Sequence, residues 1–229
     1  MPGLGTIANC AAIAAAGILG VLFGNRIKKR MQDTLMEANA VAVIFLGIGG
    51  AMAKMLSCEN GTLMMIGSLA IGSIIGEIID LEDKFVTFGE WLKVKTGNAR
   101  DPKFVDAFVT ASLTVCIGAM AVVGAIQDGI YGDHSTLFAK AILDFVIILV
   151  MSASMGKGCG FAAIPVGIFQ GLMTVLSTLL IPVLTDTAMD NLSFVGSVLI
   201  FCVGINLLFD RKIRVANLLP SLVIAVLWR

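Results

Sequence analysis

Long apolar stretches constrain the fold of this chain more than any other feature. A helix that spans a bilayer needs about 20 mostly apolar residues, and 58% of the 229 residues are hydrophobic while only 14% are charged. Eight candidate spans follow one another at 5–24, 38–56, 62–80, 104–127, 136–155, 161–183, 192–209 and, as a short one, 215–228. The sequence therefore predicts an all-α, polytopic integral membrane protein with about 7–8 transmembrane helices, forming a single membrane domain over 1–229.

The basic residues lie mainly on one side of the predicted membrane. With eight crossings and the N-terminus outside, 13 of the 16 Lys and Arg residues fall on the inner side, and the exceptions are Lys54, Lys140 and Arg229. Short cytoplasmic loops are enriched in Lys and Arg, so this pattern predicts that both termini lie outside. The acidic residues assigned to the outer loops are Asp128, Asp133, Asp186 and Asp190.

The first half of the chain contains similar segments in the same order. The tetrapeptide GAMA at 50–53 recurs at 118–121, and a shift of 56 residues aligns 5–20 with 61–76 without a gap. Small residues also recur at every fourth position in the first span, as at Gly20 and Gly24, and this spacing lets helices approach closely in lipid. We predict hairpin repeats at about 5–53 and 61–121, with weaker ones at about 136–183 and 191–228. The alternative is chance similarity among Ala- and Gly-rich helices.

Two inner loops have the pattern of short interfacial helices. In 25–36 apolar residues recur every four positions against a basic face, and in 83–93 Phe85, Phe88, Trp91 and Leu92 form an aromatic face. Amphipathic helices of this kind lie in the headgroup region, and basic ones favour an anionic leaflet. Membrane lipids are therefore expected partners.

Five motifs together resemble a known family: GAIQDGIYGD (124–133), LFAKAILD (137–144), MGKGCGFAAIPVGIFQG (155–171), GINLL (204–208) and IRVANLLPSL (213–222). In this order they are similar to the bacterial domain-of-unknown-function family five-five-four, a group of uncharacterised inner-membrane proteins assigned to transport. The resemblance runs over nearly the whole length. It implies a multi-pass transport protein of the bacterial inner membrane, and it supplies no substrate or mechanism.

Ionisable residues at membrane depth are costly and usually functional. Lys140 and Asp144 are four residues apart and so share a helix face, with Asp144 roughly 10 Å below the outer start of its helix. The pair could bind a charged solute or exchange a proton. Alternatively, Lys140 extends towards the outer surface while the two charges neutralise each other.

Other polar positions are candidates for a solute or ion pathway. Glu77 and Asp80 share a face at the inner end of their helix and predict either a cation site or charge pairing with another hairpin. Gln170 and Asn206 place hydrogen-bonding amides within apolar spans, where they need partners. Interhelical hydrogen bonds explain such groups equally well.

Two spans have irregular beginnings. One contains Gly156, Gly158, Gly160 and Pro165, and the other begins with Asn217 and Pro220. Interrupted helices in transporters expose backbone groups that bind ions or substrate. Ordinary hairpin turns and tolerated prolines are the alternative explanation.

The pattern contains no signature of an enzyme, a metal centre or a cofactor site. The single histidine, His134, lies in a predicted outer loop as an exposed residue or a helix cap, and no nucleophile, ligand or phosphate-loop spacing is present. We therefore expect a transporter of a small solute or ion, with no catalytic residues, metal, cofactor or nucleic-acid partner. A chain of this length is expected to form a homo-oligomer, as a homodimer. A non-transporting scaffold or biogenesis component and a passive channel are the alternatives.

Overall fold

The regular elements of the protein are helical throughout the part that a computed structural model describes, namely residues 2–26, 28–55, 61–116, 119–180, 185–209 and 213–228. The α-helices are α1 (Leu4–Gly24), α2 (Lys29–Met55), α3 (Gly61–Ile79), α4 (Leu81–Lys95), α5 (Phe104–Cys116), α6 (Ala119–Tyr131), α7 (Ser135–Met155), α8 (Ala163–Val175), α9 (Ser177–Leu180), α10 (Asp186–Phe209) and α11 (Pro220–Leu227). Two 3-10 helices occupy Lys157–Ala162 and Val215–Leu218.

Six helical segments of the described chain are long and apolar enough to cross a membrane, and a bent pair, α5 and α6, would make seven. The predicted class, a polytopic all-α membrane protein, is confirmed. The predicted span over 104–127 corresponds to this bent pair, in which α5 ends at Cys116 and the axis of the following helix differs by 62°. Residues 117 and 118 lie outside the described residues, and one of them is a glycine, a poor helix former. The last apolar segment, Val215–Leu227, is shorter than a full span.

One of the two predicted interfacial helices is found as a separate element. The aromatic segment forms α4, which is divided from α3 at Asp80, a residue with a positive φ of 50°. The Phe88 ring lies 5.8 Å from that of Phe108 in α5, so part of the aromatic face packs on protein. The basic segment is instead the beginning of α2, because no Gly or Pro interrupts the sequence from Lys29 to Leu46.

The chain forms two compact units, each with its own packing. Unit 1 comprises Met1–Asn39, Val86–Cys116 and Met120–Thr178, and unit 2 comprises Ala40–Phe85, Ile117–Ala119 and Leu179–Arg229.

In unit 1, α1 and α7 run parallel in close backbone contact. A Cβ atom added at Gly5 would meet Leu137, and one added at Gly24 would meet Ala153, so both helices advance in the same direction. At Gly20 an added Cβ would lie 2.5 Å from the Leu149 carbonyl oxygen. The small residues of the first span therefore allow the close packing that their spacing predicts.

The segment Lys157–Val175 runs antiparallel to α1 on another side. Gly17 faces the backbone of Gly160, and the Cys10 thiol donates a hydrogen bond to the Ala163 carbonyl at 3.4 Å. The Phe104 side chain is fully buried, with its ring 5.2 Å from that of Phe161. The core of unit 1 lies where α1, α5, α7 and this segment meet.

The buried carboxylate of Asp128 binds the beginning of α1. It accepts hydrogen bonds from the backbone N–H groups of Gly3 at 2.9 Å and Gly5 at 3.0 Å, which are groups without partners in an isolated helix. The placement of Asp128 in an outer loop is wrong, because the residue lies within α6 and is 0% exposed. Its negative charge also favours the positive end of the α1 dipole.

In unit 2, α3 packs closely on the end of the chain. An added Cβ at Gly72 would meet Ser221, and one at Gly76 would meet the backbone of Asn217, so the two segments run antiparallel. The glycines of α3 thus also allow close helix packing. The internal repeat remains a prediction, and Gly118 of the second GAMA lies outside the described residues.

Unit 2 also corrects the placement of two acids. Asp186 begins α10 and Asp190 lies in its second turn, whereas both were expected in an outer loop. Asp190 forms an ion pair with Lys54 of α2. The pairing explains why Lys54 is an exception to the one-sided distribution of basic residues.

Replacing Gly20 by Val is expected to destabilise the protein by about 1–3 kcal/mol, the usual cost of overpacking. The added side chain would collide with the α7 backbone. Gly49→Val is the matched control, because Gly49 is helical and an added Cβ meets nothing within 4 Å. Thermal unfolding of the purified variants in detergent measures the difference, and equal stability of the two variants would contradict the close contact.

Replacing Asp128 by Ala is expected to cost about 1–3 kcal/mol, because the buried N–H group of Gly5 and the partly buried one of Gly3 lose their acceptor. Asp133→Ala serves as the control. Asp133 accepts the backbone N–H of Ser135, a bond that lowers the pKa of its carboxyl, but it is exposed and water can replace it. Unfolding of both variants by a chemical denaturant tests the prediction, which fails if Asp133→Ala loses as much stability as Asp128→Ala.

Candidate functional site

The Lys140 and Asp144 side chains form a buried ion pair on α7. Their Nζ and Oδ2 atoms are 2.6 Å apart, and the side chains are only 8% and 5% exposed. The flanking residues Leu137 and Ile148 are apolar and fully buried. Lys140 therefore turns into the protein and does not extend towards the outer surface.

Asn9 of α1 is a member of this site that the sequence analysis missed. Its Nδ2 donates to Asp144 Oδ2 at 3.0 Å, and the residue is 0% exposed. The close packing of α1 on α7 brings the two side chains together. The signal in the sequence was an amide within an otherwise apolar span, in the same chemical class as the residues that were selected.

The third contact joins the pair to the interruption between α5 and α6. Lys140 Nζ donates to the backbone carbonyl of Val115 at 2.8 Å. Val115 lies in the last turn of α5, where carbonyl groups lack intrahelical partners and carry the negative end of the helix dipole. An ammonium group at this position therefore bonds to a carbonyl in the last turn of α5.

Several buried polar atoms have no hydrogen-bond partner among the described residues, and all of them belong to unit 1. They include Asn9 Oδ1, the hydroxyl groups of Thr6 and Ser112, and both amide atoms of Gln170. Gln170 is 1% exposed, so its amide is also shielded from solvent. Buried polar groups are normally satisfied by protein or ordered water. These atoms of unit 1 could therefore form hydrogen bonds with water or a solute, and their oxygen atoms could bind an ion.

Glu77 and Asp80 are engaged by Arg214 in unit 2. Arg214 donates from Nη1 to Glu77 Oε1 at 2.5 Å and from Nη2 to Asp80 Oδ1 at 3.1 Å. The Asn217 amide donates to Glu77 at 2.7 Å and accepts the backbone N–H of Glu82 at 2.7 Å. Charge pairing, one of the two readings of these acids, is the arrangement observed here.

The Asn206 side chain likewise forms hydrogen bonds within the protein. Its side chain donates to the Ile213 carbonyl at 2.8 Å and accepts the Ile213 N–H at 2.9 Å. These two bonds join α10 to Ile213, so the Asn206 amide has protein partners for both its donor and its acceptor.

The two irregular helix starts share one construction. Gly156 has a φ of 99° and precedes the 3-10 helix, in which Gly158 and Gly160 approach α5 and α1, and Pro165 lies in the first turn of α8. In unit 2, the 3-10 helix Val215–Leu218 precedes α11, whose first residue is Pro220. Pro is tolerated in the first turn because its missing N–H has no intrahelical acceptor there.

His134 is less exposed than expected for a loop residue. It occupies the N-cap position of α7, and its Nδ1 lies 2.9 Å from Asp128 Oδ1. Its side chain is 17% exposed, so the alternative of a helix-cap position describes it better than a freely exposed residue.

A cleft of about 230 Å³ opens in unit 1 at the C-terminal ends of α1 and α7. Its lining residues include Gly24, Gln32, Asp101, Lys103 and Ser152. It does not extend to Lys140 or Asp144. Within the described residues, no group of three or more His, Cys, Asp or Glu side chains is arranged to hold a metal ion.

Comparison with known proteins places the chain among uncharacterised relatives. The family model described as "Protein of unknown function (DUF554)" matches residues 4–229. The uncharacterized membrane protein YdfK of Bacillus subtilis (strain 168) is 31% identical over 220 residues, which cover 96% of this chain and 93% of that protein. The uncharacterized protein YqgA of Escherichia coli (strain K12) is 27% identical over 227 residues, with coverage of 97% and 94%.

No solved structure matches the chain. The match over nearly its whole length and the six or seven apolar helices agree with the resemblance carried by the five motifs. This chain is a membrane protein that belongs to the DUF554 family.

Proposed function

We propose that this protein is a membrane transporter of a small solute or ion, and not an enzyme. The observation that carries the proposal is the buried Lys140–Asp144 pair, bonded to Asn9 and to the open end of α5. Charged side chains at membrane depth mark solute and ion pathways, and interrupted helices supply backbone groups for binding in transporters. Here the two features meet in one site.

Contacts on both sides of Asp144 close the site in this conformation. Towards the beginning of α7, Gly5 packs on Leu137, and towards its end, Gly20 packs on Leu149 and Ser152. A carrier needs such contacts to open alternately, whereas a passive channel needs a continuous pore. The closed site therefore favours a carrier over a channel.

We place the protein in the bacterial inner membrane with both termini outside, and we propose a homodimer. Helix directions within each unit support this topology, because the first and fifth spans run parallel and the third span runs antiparallel to the last. A chain with so few spans has a limited number of helices to surround a pathway, which supports a dimer. The mass of the purified protein in detergent tests the oligomeric state.

Asp144→Asn is expected to lower transport by about 10- to 100-fold, the loss expected when a hydrogen bond to a charged group disappears. The protein is reconstituted into liposomes on a solid-supported membrane, and currents are recorded after jumps of sodium, potassium, protons or a mixture of small carboxylates. Asp190→Asn is the matched control, since it removes the charge of a partly exposed ion pair in unit 2. An Asp144→Asn protein with the wild-type rate and pH dependence would show that Asp144 has no role in transport.

A non-transporting scaffold is the second candidate, and the close packing of α1 on α7 favours it. The glycine contacts leave no space between the two backbones at Gly20, and the cleft of unit 1 ends before the ion pair. In a scaffold, the pair and the glycines would only hold the helices together.

Cysteine accessibility separates the two candidates. Cys116 follows Val115 at the end of α5, and Cys202 lies in α10 of unit 2, so single-cysteine variants retaining one or the other form a matched pair. A transporter that opens to water should allow a charged, water-soluble thiol reagent to modify Cys116 faster than Cys202. Modification is followed by mass spectrometry of the protein in liposomes. Complete protection of Cys116 under every solute and pH tested for transport would favour the scaffold.

A further inference from the structure

The Lys140 ammonium group lies among oxygen atoms. Asp144 Oδ2 is 2.6 Å from Nζ, and the Val115 carbonyl oxygen is 2.8 Å away. The Asn9 side chain adjoins the same carboxylate through its Nδ2, which fixes the orientation of the amide and leaves Oδ1 as an acceptor. This Oδ1 is buried and lacks a hydrogen-bond partner among the described residues.

The composition of these groups suits a small hard cation. Carboxylate, amide and backbone carbonyl oxygens are the ligands that such ions take, and the C-terminal end of α5 adds a partial negative charge. The Thr6 hydroxyl, also without a partner in the described chain, lies three residues before Asn9 on the same face of α1. The unpartnered oxygen atoms are acceptors for which a cation would be the missing partner.

We propose that this site binds a monovalent cation, with sodium as the ion to be tested, and that the Lys140 ammonium competes with that cation for the site. The proposal rests on the proposed transport function and names its ion. A single carboxylate balances one positive charge, whereas divalent ions are usually held by more acidic ligands. Only one cation can occupy the Asp144 carboxylate and the Val115 carbonyl at a time, so sodium enters as Lys140 withdraws. The buried site thus keeps its net charge through the exchange.

Removing the competitor should make folding stability depend on sodium. In Lys140→Met the buried Asp144 carboxylate loses its counter-charge, and this loss strongly destabilises the folded protein. A bound cation would supply a new counter-charge and so regain stability. A ligand that binds only the folded state raises the unfolding temperature. We expect Lys140→Met to unfold about 5 °C or more higher in saturating NaCl than in N-methyl-D-glucamine chloride of the same ionic strength. Wild-type protein should show a smaller difference, because its ammonium already occupies the site.

Four variants give the measurement its controls. Lys140→Gln also removes the charge while keeping a polar side chain at position 140, and it too should unfold at a higher temperature in NaCl. Lys140→Met combined with Asp144→Asn should lose the sodium effect, because the carboxylate is gone. Asn9→Ala introduced into Lys140→Met should weaken the effect. Lys54→Met breaks the ion pair with Asp190 in unit 2 and should show no sodium-specific shift.

The outcomes distinguish this proposal from the transport function. Equal unfolding temperatures of Lys140→Met in the two salts, or a sodium effect that survives Asp144→Asn, would overturn the sodium site while leaving transport of another solute possible in the liposome assay. Failure of both Lys140 variants to fold in NaCl would also overturn it, since sodium should replace the lost ammonium. A sodium effect confined to the variants that retain Asp144 supports the site. If wild-type protein then moves nothing in liposomes, the transport function alone is wrong.

Discussion

The close contact between the backbones of α1 and α7 is the interaction on which the rest of unit 1 depends. Membrane helices gain little from the hydrophobic effect against each other, so packing of small residues and hydrogen bonds hold them together. Gly20 and Gly24 place α1 against the α7 backbone. Larger residues at these positions would push the two helices apart, and this would weaken the contact through which Asn9 bonds to Asp144. The Asp128 cap fixes the other end of the same contact through Gly3 and Gly5.

The C-terminal end of α5 supplies the Lys140–Asp144 pair with a further hydrogen-bond acceptor. A continuous α5 would satisfy the Val115 carbonyl within the helix, and Lys140 would have only Asp144 as a partner. Carbonyl groups in the last turn of a helix lack intrahelical partners, and Lys140 donates to that of Val115 at 2.8 Å. The lysine therefore joins the charge pair of α7, which the sequence indicated, to the C-terminal end of α5, which the sequence did not indicate.

The sequence predicted the class, most helices and the Lys140–Asp144 pair, because hydropathy and helical spacing are local properties. It did not predict the bend after Cys116, since a Gly in an apolar span is compatible with a straight helix. It also missed Asn9 and misplaced Asp128, because the role of each residue depends on a hydrogen-bond partner more than a hundred residues away in the sequence. Arg214 as the partner of Glu77 and Asp80 is a further long-range pairing of this kind. Local patterns identify which side chains need partners, and only the fold supplies them.

The two units have similar helix packing but different polar contacts. Each has a glycine-bearing helix, α1 or α3, against a segment that begins with a 3-10 helix. In unit 2 the Glu77, Arg214 and Asn217 side chains bond to one another or to nearby backbone, which stabilises a single arrangement. In unit 1 the buried Asn9 and Gln170 retain unsatisfied atoms within the described chain. Groups that lack protein partners have a cost that water, an ion or a solute can remove, so unit 1 is the part in which exchange of such a partner can be coupled to a change of structure.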